Sequence, residues 1–110
     1  MRRTIRGLII KDHKVLLVTG HGADFYWTPG GGVEGDETPL ETLHREIQEE
    51  LGVTVDSAQE YSSYIYQDQD VQNFLITISG EIHVGEEITD YAWYDSSNTL
   101  IKPSSGFTDA

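Results

Sequence analysis

The sequence predicts an α+β fold, because one strongly signalled helix between Thr38 and Gly52 is flanked on both sides by short β-branched and aromatic runs. Two polar turn signals, KDHK at 11–14 and QDQD at 67–70, divide those runs into hairpins. At 110 residues the chain has room for one domain, 1–110, with a modest core.

The elements follow in order. Thr4 to Ile10 and Val15 to Val18 are apolar and β-branched, and with the intervening turn they predict an opening hairpin. His21 to Asp24 contains glycine and reads as a loop. Phe25, Tyr26 and Trp27 then predict a short aromatic strand that Pro29 ends. The helix is marked by Thr38 as N-cap, Pro39 at its first position, Glu41 three residues after the cap and Gly52 at its stop. Leu40, Leu43, Ile47 and Leu51 fall on one stripe, which predicts that all four face a sheet. Tyr61 to Tyr66, Phe74 to Ile82 and Tyr91 to Tyr94 predict the remaining strands.

Charge and composition exclude several classes of function. Nineteen acids against seven bases give a formal charge of -12, so nucleic-acid duplexes and anionic membranes are repelled. Without cysteine there is no disulfide, thiolate or zinc–cysteine chemistry. The apolar run in MRRTIRGLII is too short for a secretory signal and no transmembrane segment is evident, which leaves a cytoplasmic location as the expectation.

Glu46, Glu49 and Glu50 crowd one side of the helix, beside the apolar stripe. Each like-charge pair at three or four residues costs a few tenths of a kcal/mol, and the helix C-terminus disfavours anions further. A divalent cation reverses the sign of these penalties, since hard cations such as Mg2+ take oxygen ligands. A solvated glutamate face is the alternative. Gly30, Gly31, Gly32 and Gly35 precede the helix and permit close backbone approach to a ligand, though an ordinary turn would use glycines too.

Spacing separates these alternatives. From Gly31 to Val53 the chain satisfies G-x5-E-x7-R-E-U-x-E-E-x-G-U, with Glu37, Arg45, Glu46, Ile47, Glu49, Glu50 and Gly52 in place. This pattern resembles the box of the Nudix hydrolase family. The resemblance implies a mixed β-sheet sandwiched between helices, and metal-dependent cleavage of a nucleoside diphosphate linked to another moiety. Mg2+ is the implied cofactor, with Mn2+ as an alternative.

Carried onto this chain, the resemblance assigns Glu46, Glu49, Glu50 and the Gly30 backbone carbonyl to metal binding. It makes Glu46 and Glu49 the catalytic candidates, and leaves open which glutamate is the general base. Glu87 resembles a later acidic ligand, with Glu86 as the competing choice and an exposed loop acid as the plain alternative. Glu37 and Arg45 resemble a structural ion pair joining loop to helix.

Two departures from the family pattern stand out. Arginines common around the second strand are replaced by Thr19, Gly20 and His21, so Arg6 and His21 become the candidates for substrate phosphate contacts. Ser104 to Ala110 ends where many members place a last helix, so that helix is expected to be missing: either the chain is truncated or a partner covers the exposed sheet face, a homodimer being one way to do so. Signatures of particular substrates are absent, which leaves a nucleoside triphosphate, ordinary or oxidised, as the default. A nucleotide-binding sensor without turnover is the alternative function.

Overall fold

A computed structural model describes residues 2–95. Its strands are β1 (Arg2–Lys11), β2 (Lys14–Gly20), β3 (Gly30–Gly32), β4 (Thr54–Tyr66), β5 (Gln69–Ser79) and β6 (Ile88–Tyr94), with one helix, α1 (Pro39–Leu51). Both hairpins close through two residues of positive φ, Asp12 and His13 (53° and 65°) and Gln67 and Asp68 (49° and 63°). Left-handed turn residues of this kind match the right-handed twist of the strands they join. Polar residues extend each strand past its apolar run, since the ladder of backbone hydrogen bonds does not depend on side-chain type.

The sheet runs β4-β5-β1-β2-β6, with β3 beside β1. The β1–β5 pair is parallel and the other pairs are antiparallel, so the sheet is mixed and the α+β class holds. β1 and β2 pair only at Ile10–Val15 and Lys11–Lys14, then part. Into that split passes the segment from Trp27 to Gly32: Trp27 bridges Val18, the Gly7 N–H donates to the Pro29 carbonyl, and Gly30 to Gly32 pair with Arg6 to Thr4. The expected Phe25–Trp27 strand is therefore reduced to isolated bridging at Tyr26 and Trp27. The ladder begins instead at the glycines, whose missing side chains let a third strand enter the gap.

α1 begins with a full capping box: the Glu41 N–H donates to Thr38 Oγ1 at 3.1 Å, and the Thr38 N–H donates to Glu41 Oε1 at 2.8 Å. It stops at Gly52, whose φ of 67° suits glycine. Leu43, Ile47 and Leu51 are fully buried against Ile5, Ile9, Leu16, Val18, Phe74 and Ile76. Leu40 departs from expectation at 47% exposure. Angular position selects the side of a helix, but not how far the sheet extends along its axis, and packing starts at Leu43. Gly7 keeps the contact close: a Cβ there would lie 2.9 Å from Ile76 Cδ1 and 3.3 Å from Ile47 Cδ1. One helical layer is thus present among the described residues, and the expectation of a missing last helix falls on residues outside them.

Candidate active site

The split sheet brings the glycine strand under the glutamate face of α1. Gly30 adopts φ 143°, and a Cβ there would come within 2.0 Å of the Ile5 carbonyl oxygen, so only glycine fits. At Gly31 a Cβ would lie 2.5 Å from the Glu46 carboxyl carbon. Glu46 thus lies directly over bare backbone. The Gly30 N–H donates to both Glu50 oxygens, at 3.2 and 3.3 Å.

Glu50 is buried, and desolvation pushes its carboxyl up to about 8. The Gly30 N–H opposes that rise, Glu46 adds to it, Arg6 opposes it and Glu49 adds again. A buried acid that one amide only partly compensates, with two further carboxylates nearby, is a place where cationic charge is favoured.

Arg45 organises the opposite end. Its Nε and Nη2 donate to Glu37 at 2.7 and 2.9 Å, Nη1 donates to Glu46 at 2.8 Å and Glu49 at 3.3 Å, and Nη2 reaches the Gly32 carbonyl at 3.2 Å. Glu34 adds an ion pair at 3.1 Å. Hydrogen bonding from Arg45 is the main reason that the Glu37 carboxyl falls to about 2, and the same contact raises Arg45. The buried Thr42 hydroxyl also donates to Glu37 at 3.0 Å. Sequence reasoning passed over Thr42, which helical spacing places one turn before Glu46.

The other candidates lie around this centre. The loop between β5 and β6 is joined to the end of α1, with the His83 N–H on the Leu51 carbonyl at 2.8 Å and the Gly85 N–H on the Glu50 carbonyl at 3.0 Å. That places exposed Glu86 and Glu87 just past the helix glutamates. Glu87 Oε2 sits 3.9 Å from His21 Nε2, and a Cβ on Gly20 would strike the Glu87 carbonyl, so the β2 end and this loop are held together. Arg6 donates through Nη1 to the carbonyls of Thr28, 3.0 Å, and Gly30, 3.3 Å. Burial lowers its pKa, and Glu50 opposes that shift.

Among the described residues no three acidic or imidazole groups converge as a filled metal site requires, and Arg45 draws Glu46 and Glu49 toward itself. The donor chemistry fits a hard divalent cation all the same. Every candidate ligand is an oxygen, and the Glu50 carboxyl is buried where added positive charge would restore its ionised form.

Solved structures share this architecture. A MutT NUDIX hydrolase from Burkholderia pseudomallei superposes with a TM-score of 0.87 at 22% identity, covering 98% of this chain and 93% of that one. A MutT protein from Bacillus halodurans gives 0.76 at 22% identity, over 97% and 77%. At such identities the likeness concerns the fold.

The NUDIX domain profile matches residues 1–105, and the chain belongs to that family. It is 31% identical over 104 residues to an ADP-ribose pyrophosphatase of Methanocaldococcus jannaschii, covering 86% of this chain and 62% of the relative. Over 53 residues it is 36% identical to the 8-oxo-dGTP diphosphatase of Escherichia coli K12, covering 44% of this chain and 41% of the relative. The chain thus spans about three fifths of the first relative's length.

Proposed function

We propose that the chain is a metal-dependent pyrophosphohydrolase acting on a nucleoside diphosphate linked to another moiety, with a nucleoside triphosphate, ordinary or oxidised, as its default substrate. The observation that carries this reading is the buried Glu50 carboxyl under the Gly30 amide, with Glu46 over Gly31. Relatives named ADP-ribose pyrophosphatase and 8-oxo-dGTP diphosphatase support it, because both names describe hydrolysis of a phosphoric anhydride in a nucleotide.

Glu46, Glu49, Glu50 and the Gly30 carbonyl would hold Mg2+, or Mn2+ in its place. The chemistry such a metal would supply is neutralisation of phosphate oxygens and a lowered pKa for the attacking water. Glu46 or Glu49 accepts the proton of that water while its oxygen bonds to phosphorus. The bond to the bridging oxygen breaks, and the departing group takes the electron pair, so a triphosphate yields monophosphate and pyrophosphate. Arg45 and Glu37 hold the glycine strand at a set distance from the helix. Glu87 is proposed as an outer ligand reaching in from the loop tied to α1, and His21, 3.9 Å from it, as a phosphate contact.

The test is release of phosphate or pyrophosphate over a nucleotide panel with Mg2+, comparing wild type with Glu49→Gln. Turnover by wild type that drops at least about 100-fold in the variant is the expected result. Tight nucleotide binding with no turnover on any member of the panel would replace the enzyme by a sensor.

A further inference from the structure

Strand alternation gives β3 two sides. Gly31 opposes Ile5 and faces Glu46, whereas Gly32 opposes Thr4 and faces the opposite way, against Arg2. On that second side Arg2, Thr4 and Arg6 occupy alternate positions of β1. A Cβ on Gly32 would lie 2.9 Å from both Nε and Nη2 of Arg2, so this guanidinium rests against bare backbone.

Arg6 engages the Thr28 and Gly30 carbonyls through Nη1 alone, which leaves Nε and Nη2 without a partner among the described residues. No fully buried side-chain nitrogen or oxygen lacks a partner among the described residues, so those two nitrogens keep some contact with solvent. Arg2 lies close enough to disfavour the charge on Arg6, while Glu50 and Glu46 favour it, so Arg6 feels the carboxylate cluster and Arg2 together. Neither guanidinium forms an ion pair with a described carboxylate, although acids outnumber bases 19 to 7. Two adjacent cations left unpaired in so acidic a chain repel each other until an anion joins them. Guanidinium forks suit phosphoryl oxygens in particular.

We propose that Arg2 and Arg6 bind an anionic group of the substrate beyond the pyrophosphate that is cleaved, and so select nucleoside triphosphates over diphosphates flanked by two sugars. This rests on the pyrophosphohydrolase reading above. A triphosphate supplies a third phosphoryl for the arginine pair, whereas ADP-ribose offers a neutral ribose at the same place.

Arg2→Gln tests the idea, since Arg2 is exposed at the start of its strand. The ratio of kcat/KM for a nucleoside triphosphate over ADP-ribose, measured with Mg2+, is expected to fall about tenfold, the scale of one lost hydrogen bond to a charged group. Arg2→Lys is expected to restore part of it. Calorimetric binding of an α,β-methylene nucleoside triphosphate and of the matching diphosphate analogue gives a readout without turnover. There wild type is expected to prefer the triphosphate and Arg2→Gln to lose that preference. Equal losses on both substrates, or an unaltered preference in calorimetry, would overturn the proposal. Absence of hydrolysis by wild type would count against the pyrophosphohydrolase reading alone, and calorimetry would still decide the role of the arginines.

Discussion

Glu37 and Glu50 belong to the same motif, yet the fold drives their carboxyl groups in opposite directions. Glu37 lies near the surface, takes two hydrogen bonds from Arg45 and one from Thr42, and is held at about 2. Glu50 is buried, has one amide donor and two acidic neighbours, and is pushed up to about 8. A charge can thus be anchored by its partners or stranded by its surroundings. The first arrangement ties the loop to the helix, and the second leaves a buried carboxyl whose surroundings disfavour its charge.

The largest effect is expected at Glu50. Glu50→Gln should lower Mg2+-dependent turnover at least about 100-fold while raising the metal-free melting temperature at pH 8, because a neutral amide removes a buried charge. A fall in metal-free stability at pH 8 would show that Glu50 is anchored like Glu37.

The pH dependence of melting sharpens the same contrast. A folded pKa raised to about 8 favours the protonated native form, so the contribution of Glu50 is complete below its unfolded value of about 4.3 and is lost as pH rises toward 8. Metal-free protein should therefore melt at progressively lower temperature from pH 5 to pH 8. Added Mg2+ should raise the midpoint more at pH 8 than at pH 6, because binding needs the carboxylate.

For Glu37 the sign is reversed. Its lowered pKa contributes stability above the unfolded value, and that is lost as pH falls from about 4.3 toward 2. Glu37→Gln should melt below wild type at pH 7, and the gap should close near pH 2. The smallest effect belongs to Thr42→Val, which removes one hydroxyl donor to Glu37 and should cost about 1 kcal/mol in denaturant unfolding.

What the sequence reveals divides along the range of the interactions. The helix is legible because its Thr38 cap, Glu41, its Leu43-Ile47-Leu51 stripe and Gly52 all lie within one local segment. Three glutamates on one helix are legible for the same reason. The opening between β1 and β2 is not, since nothing in KDHK tells that the strands separate after Ile10. Hence Phe25 to Trp27 looked like the strand while the pairing fell to Gly30–Gly32. Arg2 was passed over for the same cause, since its neighbour Gly32 meets it only through the β1–β3 ladder. Exposure of Leu40 depends on where the sheet ends, which helical periodicity does not encode.

The parallel pairing of Arg2–Ile9 with Gln69–Ile76 also bears on the order of assembly. Everything from the first hairpin through the motif and the β4–β5 turn lies inside the loop that this pairing closes, and such long-range parallel contacts form slowly. The strand that holds Arg6 under Gly30 gains its other neighbour only when that closure is made. The pairing of Gly30–Gly32 with Arg6–Thr4 spans far fewer residues, so the two neighbours of β1 differ in how much chain each must close before it forms.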